Sequence, residues 1–206
     1  MTSRRPPPAV SLADIEAAAA AIAGEVPHTP IVAAPALGAL IDAEVFLKLE
    51  TLQYTGSFKE RGALFKLKSL TAAERRAGVI AMSAGNHAQG VAYHAERLGI
   101  PATIVMPEDT PFTKIERTER FGARIVLAGT SLAAARRRAV EIAAAQGLIL
   151  IHPYDDARII AGQGTVGREM LADQPALDTL VVPVGGGGLI GGIAIAAKAL
   201  KPDISI

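Results

Sequence analysis

This sequence predicts an α/β architecture built on a parallel sheet, and three observations point to it. From about residue 71 onward, short apolar strands alternate with helices. Helix after helix ends on a glycine: Gly78, Gly99, Gly122 and Gly147. Of the 206 residues, 50% are apolar but only 4% aromatic, so Ala, Val, Ile and Leu must fill the core. Short, continuously apolar strands suit a sheet covered on both faces, which is what βαβ units build.

Composition narrows the function classes. Lys and Arg number 21 against 20 Asp and Glu, a net charge of +1. That balance offers no electrostatic footprint for nucleic acid or an anionic membrane. The absence of cysteine excludes a disulfide scaffold, a thiolate nucleophile and a zinc–sulfur site. No apolar run reaches the ~18 residues of a membrane span. Met1 to Pro8 has charge and prolines but no apolar stretch of the kind a signal peptide needs. A cytoplasmic protein is the expectation, with room for one large or two small domains.

Residues 1–10, with Arg4, Arg5 and three prolines, read as an extended tail. Ser11 and Asp14 open a helix that carries Leu12, Ile15, Ala19 and Ile22 at helical spacing and stops at Gly24. Pro27, Pro30 and Pro35 bar a helix across that stretch. Glu44 to Glu50 alternates, with Val45, Leu47 and Leu49 on one face, as in a half-buried strand. Thr71 and Glu74 cap a short helix, and strands are expected at Val79–Met82, Ala102–Met106, Arg124–Leu127 and Leu148–Ile151. Between them helices run to about Leu98, from Thr110-Pro111 to Gly122, and from Ser131 to about Gln146. A helix over roughly Ala157–Ala172, a strand at Leu180–Val184 and a helix to about Leu200 complete the series. Asp203 to Ile206 look like the opening of a further strand, so the chain reads as part of a larger fold.

Three motifs could carry chemistry. In Thr55-Gly-Ser-Phe-Lys59-Glu-Arg-Gly62, Gly56 permits a turn and Ser57 suits a helix N-cap, which places Lys59 in the first helical turn. The positive end of the helix dipole disfavours an ammonium there and favours the neutral amine that Schiff-base chemistry needs. An ordinary solvated lysine beside Glu60 and Arg61 is the alternative. The second motif is the apolar run Val181–Val184 followed by Gly185, Gly186, Gly187 and Gly188, then Leu189. Converging N–H groups at a helix start would cradle a phosphate. A tight packing turn, or a dinucleotide fingerprint through Gly186, Gly188 and Gly191, would use the same residues. The third is Ser83-Ala84-Gly85-Asn86-His87, at a strand's carboxyl end, where ligands bind in such sheets. It could hold a carboxylate or be a plain turn. His28, His94 and His152 lack metal-site spacing. Arg136, Arg137 and Arg138 read as the solvated side of a helix.

Taken together, and with Ile160-Ala-Gly-Gln-Gly-Thr165, these motifs resemble the fold-type-II enzymes that use pyridoxal phosphate, the tryptophan synthase β-like class. Within it the chain is similar to the serine/threonine dehydratase family, which includes the threonine ammonia-lyases and serine racemase. The resemblance runs from about Pro27 to the C-terminus.

The resemblance implies two parallel-sheet three-layer domains with the cofactor in the cleft between them. Residues 1–56 would be the N-terminal part of the large domain, 57–153 the small domain and 154–206 a continuation of the large one. It implies that Lys59 is the catalytic residue and bonds the cofactor as a Schiff base. Phe58 packs beside the cofactor, Asn86 bonds its ring hydroxyl, and Gly185, Gly186, Gly187, Gly188 and Leu189 hold the phosphate. Ser83, Ala84, Gly85, Asn86 and His87 hold the substrate carboxylate.

The activity implied is conversion of L-threonine, and L-serine with it, to a 2-oxo acid and ammonia, within amino-acid metabolism such as isoleucine biosynthesis. A small amino acid is the partner implied, with a homodimer or homotetramer as the assembly and no nucleic acid, membrane or metal. In serine racemases the position of Ala84 is a serine that donates a proton. Alanine there favours elimination. Family members continue past the glycine run, into a segment with the group facing the pyridine nitrogen. The 206 residues alone are therefore expected to be weak or inactive.

Overall fold

The computed structural model describes residues 10–206. The tail expected over residues 1–10 lies almost wholly outside the described residues.

Four parallel strands form the central sheet: β3 (Val79–Met82), β4 (Ala102–Met106), β5 (Arg124–Leu127) and β6 (Ile149–Leu150), in the order β5-β4-β3-β6. Val79 sits beside Ala102 on one side and Ile149 on the other. Strand alternation sorts their side chains. Val79, Ala81, Ile104 and Met106 bury against α3 (Lys59–Lys68) and α5 (Asn86–Arg97), with α6 (Phe112–Glu119) alongside. Ile80 and Val105 bury against Ala135, Ala139 and Ile142 of α7 (Leu132–Gln146) on the opposite face. Both faces are covered, as the continuous apolar strands predict.

A helical layer packs beside this sheet unit. It joins α1 (Leu12–Ile22), α8 (Ala157–Asp173) and α9 (Gly188–Leu200) to α3 through Ile15, Ala18, Leu64, Phe65 and Ala196. Glycine sets the spacing. A Cβ on Gly162 would stand 2.5 Å from the Gly62 Cα, and one on Gly192 would stand 2.3 Å from the Ile160 carbonyl oxygen. The Ile160–Thr165 motif is therefore the crossing point of α8 with α3 and α9, and its small residues let the backbones touch.

The capping boxes at Ser11/Asp14 and Thr71/Glu74 form as expected, the second opening α4 (Ala72–Ala77). Four details differ from the expectation. Helix α2 (Pro35–Ile41) starts at Pro35, whose fixed φ suits a first helical position. Pro111 is the residue before α6 rather than its first residue.

The third detail concerns β2 (Phe46–Lys48), which pairs antiparallel with β1 (Ile31–Ala33) and turns its lysine inward. Leu47 is 40% exposed, while the Lys48 side chain is 4% exposed because Glu169 receives its charge at 2.8 Å. The fourth is the run Leu180–Val184, which forms no strand. Thr179 and Ser205 make one parallel bridge, and Leu180 N–H donates to the Ser205 carbonyl at 2.9 Å. Val181 is 93% exposed. A strand exists only where a neighbouring strand accepts its hydrogen bonds, and here the Thr179–Ser205 bridge stands isolated.

Candidate active site

The residues singled out in the sequence converge on one segment, Ile151 to Tyr154, where the chain leaves β6 and turns toward α8. Lys59 is the first residue of α3. Its Nζ donates to the Pro153 carbonyl at 2.7 Å and lies 5.4 Å from the centre of the Phe58 ring. Burial holds this amine below the ordinary lysine range. No carboxylate of the described residues forms an ion pair with it. Phe58 packs against the same apolar cluster as Leu189 of α9.

His87 grips the segment from α5. Its ring is 2% exposed, and Nε2 stands 3.1 Å from the Ile151 carbonyl. Burial lowers its pKa to about 4 and outweighs the opposing pull of the hydrogen bond to the Ile151 carbonyl. The imidazole is therefore neutral at physiological pH and donates through Nε2. Its side chain points into the protein, so only its main-chain N–H is available at the helix start.

The 83–87 loop is shaped for an anion. Ser83 N–H continues the β3 ladder by donating to the Val105 carbonyl, and Ser83 Oγ accepts from Gly85 N–H at 3.2 Å. Helix α5 begins with no capping side chain. Among the described residues, the N–H groups of Asn86, His87 and Ala88 have no acceptor. Asn86 is exposed at this mouth, and Ala84 leans back onto the core.

The glycine run repeats the arrangement. Helix α9 also starts without a capping side chain, after Gly187 at φ +90°. The N–H groups of residues 185–190 have no acceptor among the described residues. Helices α1, α4, α7 and α8 are capped by Ser11, Thr71, Ser131 and Asp156. Helices α2, α3 and α6 also start without a capping side chain; the uncapped starts of α5 and α9 are the ones that lie where a carboxylate and a phosphate are expected.

Tyr154 ties the run to the rest. A Cβ on Gly186 would be 2.2 Å from Tyr154 Cδ1, and one on Gly188 would be 2.8 Å from the Tyr154 carbonyl oxygen. A Cβ on Gly185 or Gly187 would meet nothing. One side of the run is pressed against Tyr154 and the other is open. Free N–H donors on an open, glycine-lined turn suit a phosphate dianion, and a half-buried lysine two links away suits an aldehyde. The residues present fit pyridoxal phosphate.

A cleft of about 1150 Å³ opens beside these groups, lined by Ser83, Ala84, Gly85, Pro153 and Tyr154. Lys114, Arg136 and Arg137 line it as well. The arginine run is solvated, as expected, but two of its members also face the cleft. Arg138 turns away to Glu141 at 3.0 Å.

Sequence reasoning missed Pro153 and Tyr154. Their signal was position alone, directly after a strand's carboxyl end. It also missed a buried ionic network behind Lys59. The Arg61 guanidinium is 1% exposed and forks onto Glu50 at 2.8 Å and Glu169 at 2.6 Å. Burial disfavours its charge, yet those two carboxylates hold it firmly protonated. The solvated-neighbour alternative for Lys59 fails here, since Glu60 and Arg61 are both interior.

Residues 22–206 match the family model described as pyridoxal-phosphate dependent enzyme. The chain is 49% identical over 198 residues to the catabolic L-threonine dehydratase TdcB of Staphylococcus aureus, covering 96% of this chain and 57% of that one. It is similar to the structure of maize serine racemase, with a TM-score of 0.92 at 38% identity, covering 95% of this chain and 60% of that one. It is also similar to processed threonine deaminase isoform 2 of Solanum lycopersicum, with a TM-score of 0.88 at 38% identity, covering 94% and 53%. The chain thus spans little more than half the length of these relatives.

Proposed function

The chain belongs to the pyridoxal-phosphate dependent enzyme family, and from that premise we propose that the protein is an ammonia-lyase acting on L-threonine, with L-serine as a second substrate. The observation that carries this reading is the Lys59 amine, half-buried, free of any carboxylate partner among the described residues and bonded to the carbonyl of Pro153, a residue that lines the cleft.

Lys59, Phe58, Asn86, Gly185, Gly186, Gly187, Gly188 and Leu189 would hold the cofactor. Pyridoxal phosphate, when bound, supplies an aldehyde for amines and a conjugated ring that accepts an electron pair. The N–H groups at the start of α9 would neutralise the phosphate. The N–H groups of Asn86, His87 and Ala88, with Ser83, Ala84 and Gly85 shaping the loop, would fix the substrate carboxylate. Lys114, Arg136 and Arg137 add positive potential at the mouth and draw that carboxylate in.

Lys59 Nζ, partly relieved of its proton by burial, is the base that accepts the Cα proton. Proton return to the opposite face would need a donor there, and the Ala84 methyl has none. Loss of the β-hydroxyl as water therefore prevails over racemisation. Hydrolysis of the enamine that leaves would yield a 2-oxo acid and ammonia, 2-oxobutanoate from threonine.

The division into a large-domain part at 1–56, a small domain at 57–153 and a large-domain continuation at 154–206 belongs to the same reading. So does assembly as a homodimer or homotetramer. No helix of the described residues is long and apolar enough to cross a membrane.

The test is 2-oxobutanoate release from L-threonine with added pyridoxal phosphate, measured on this chain and on one extended to the relatives' length. Ketoacid from the longer chain supports the reading. Interconversion of L- and D-serine without ketoacid would replace it with a racemase.

A further inference from the structure

Beside Lys59 in the sequence stands a polar pair that the proposed chemistry leaves unused. The Glu60 and His94 side chains are both 0% exposed, with Glu60 Oε2 3.7 Å from His94 Nε2. Glu60 Oε1 accepts the Thr55 N–H. Among the described residues, Glu60 Oε2 and both ring nitrogens of His94 have no hydrogen-bond partner. A lone carboxylate or imidazole is costly in such an interior, so the two must compensate each other.

The placement of the pair is informative. His94 and Gly90 are four residues apart on α5 and share one face. A Cβ at Gly90 would stand 3.3 Å from the Lys59 carbonyl carbon and 3.4 Å from the Glu60 nitrogen. Glycine thus lets α5 press on the backbone of residues 59–60, and one turn later His94 meets the Glu60 side chain. The same helix starts at Asn86 and carries the 83–87 loop. Other charges reach the pair only at its margin. Tyr93 stacks edge-on against His94 at 4.9 Å, Glu25 senses His94, and Arg97 lies over the Tyr93 ring. Burial alone depresses the Lys59 amine, so the pair acts on it through backbone position rather than through its field.

We infer that Glu60 and His94 are positioning residues, a buried polar pair that registers Lys59 against the helix carrying the 83–87 loop. Apolar side chains could fill the same space but would tolerate sliding. Two buried polar groups that compensate each other only while they face one another do not, and specifying register is the best-attested use of buried polar groups. The inference rests on the reading of Lys59 as the reactive amine.

Competitive acetylation of the full chain with limiting acetic anhydride, read lysine by lysine by mass spectrometry across pH, needs no cofactor. Lys59 is expected to reach half-maximal labelling at lower pH than the exposed Lys114 and Lys198. Glu60→Gln and His94→Gln each strand the partner. If α3 loses register, water reaches the amine and restores its proton, so Lys59 labelling at neutral pH falls about tenfold relative to Lys114. The double variant, a neutral amide pair, brings it back to within about twofold of the parent.

Two results overturn the inference: single variants that melt earlier yet keep the parent Lys59 profile, or a double variant no better than the singles. If the singles fail to fold, the double variant decides by the same criterion. Failure of the functional reading would look different. The parent would then resist borohydride fixing of pyridoxal phosphate at Lys59 while the acetylation profile still reported the pair.

Discussion

The Lys59 amine donates a 2.7 Å hydrogen bond to the carbonyl of Pro153, a residue 94 positions further along the chain. Two residues before Pro153, the Ile151 carbonyl receives His87 Nε2 at 3.1 Å. Side chains from α3 and α5 therefore grip the same strand exit, which leads into the tyrosine that abuts the glycine run. This segment is the hub of the candidate site.

Lys59→Ala is expected to leave the far-ultraviolet circular dichroism unchanged, since the side chain serves no capping or core role. It should remove all pyridoxyl labelling at this position after borohydride reduction. In a chain long enough to turn over threonine, ketoacid release should fall by about a thousandfold, the middle of the range for loss of a positioned base. Lys59→Arg should fail equally, because a guanidinium keeps its proton.

His87 makes stability depend on acid. Burial lowers its native pKa to about 4 from an ordinary 6.5, so the unfolded chain binds its proton first as pH falls. The stability from keeping the ring neutral is fully present above 6.5, is lost progressively down to about 4 and changes no further below that. The shift corresponds to about 3 kcal/mol. His87→Gln retains a donor for the Ile151 carbonyl but cannot titrate. Its thermal midpoint should fall less steeply than the parent's across that window, and parallel curves for the two proteins would refute the assignment.

The glycine run should separate folding from binding. Gly188→Ala sets a methyl 2.8 Å from the Tyr154 carbonyl oxygen, and overpacking of backbone should cost about 1–3 kcal/mol in denaturant unfolding. Gly185→Ala meets nothing, so stability should change by under about 0.5 kcal/mol. The added methyl narrows the open side where a phosphate would sit. Pyridoxal phosphate titration, followed by absorbance, should show weakened binding in Gly185→Ala despite its unchanged unfolding curve.

Arg61 holds the lysine-bearing helix to α8. Arg61→Met would leave Glu50 and Glu169 facing each other in the interior. Removing one member of such a buried network should cost about 3–5 kcal/mol. Arg61→Lys should recover part of this, since an ammonium cannot fork onto both carboxylates. Glu169 has a lowered pKa, in which burial is outweighed by Arg61 and Lys48. Its contribution is therefore present above the ordinary carboxylate value of 4.5 and is lost as pH falls through its depressed native value. The acid limb of the unfolding transition should flatten in Glu169→Gln.

Much of this molecule is local and was legible in the chain. The capping boxes at Ser11 and Thr71, the glycine stops at Gly99, Gly122 and Gly147, and the four apolar strands depend on residues a few positions apart. The first-turn position of Lys59 and the glycine turn before α9 are of the same kind. The run Leu180–Val184 marks the boundary of this logic. Its composition is that of a strand, but a strand is completed by a neighbour.

The amino-acid sequence by itself determined which residue types stand ready: an amine at a helix start, two turns rich in free N–H groups, and an alanine where a proton donor would be needed. Only the tertiary structure decided that Pro153 holds that amine, that Tyr154 closes one side of the glycine turn, and that Arg61 and Glu60 lie inside rather than in solvent. The physical reason is distance along the chain. A cap or a turn is settled by neighbours in sequence, whereas desolvation and ion pairing depend on groups some 11 to 108 residues away, which no local pattern encodes.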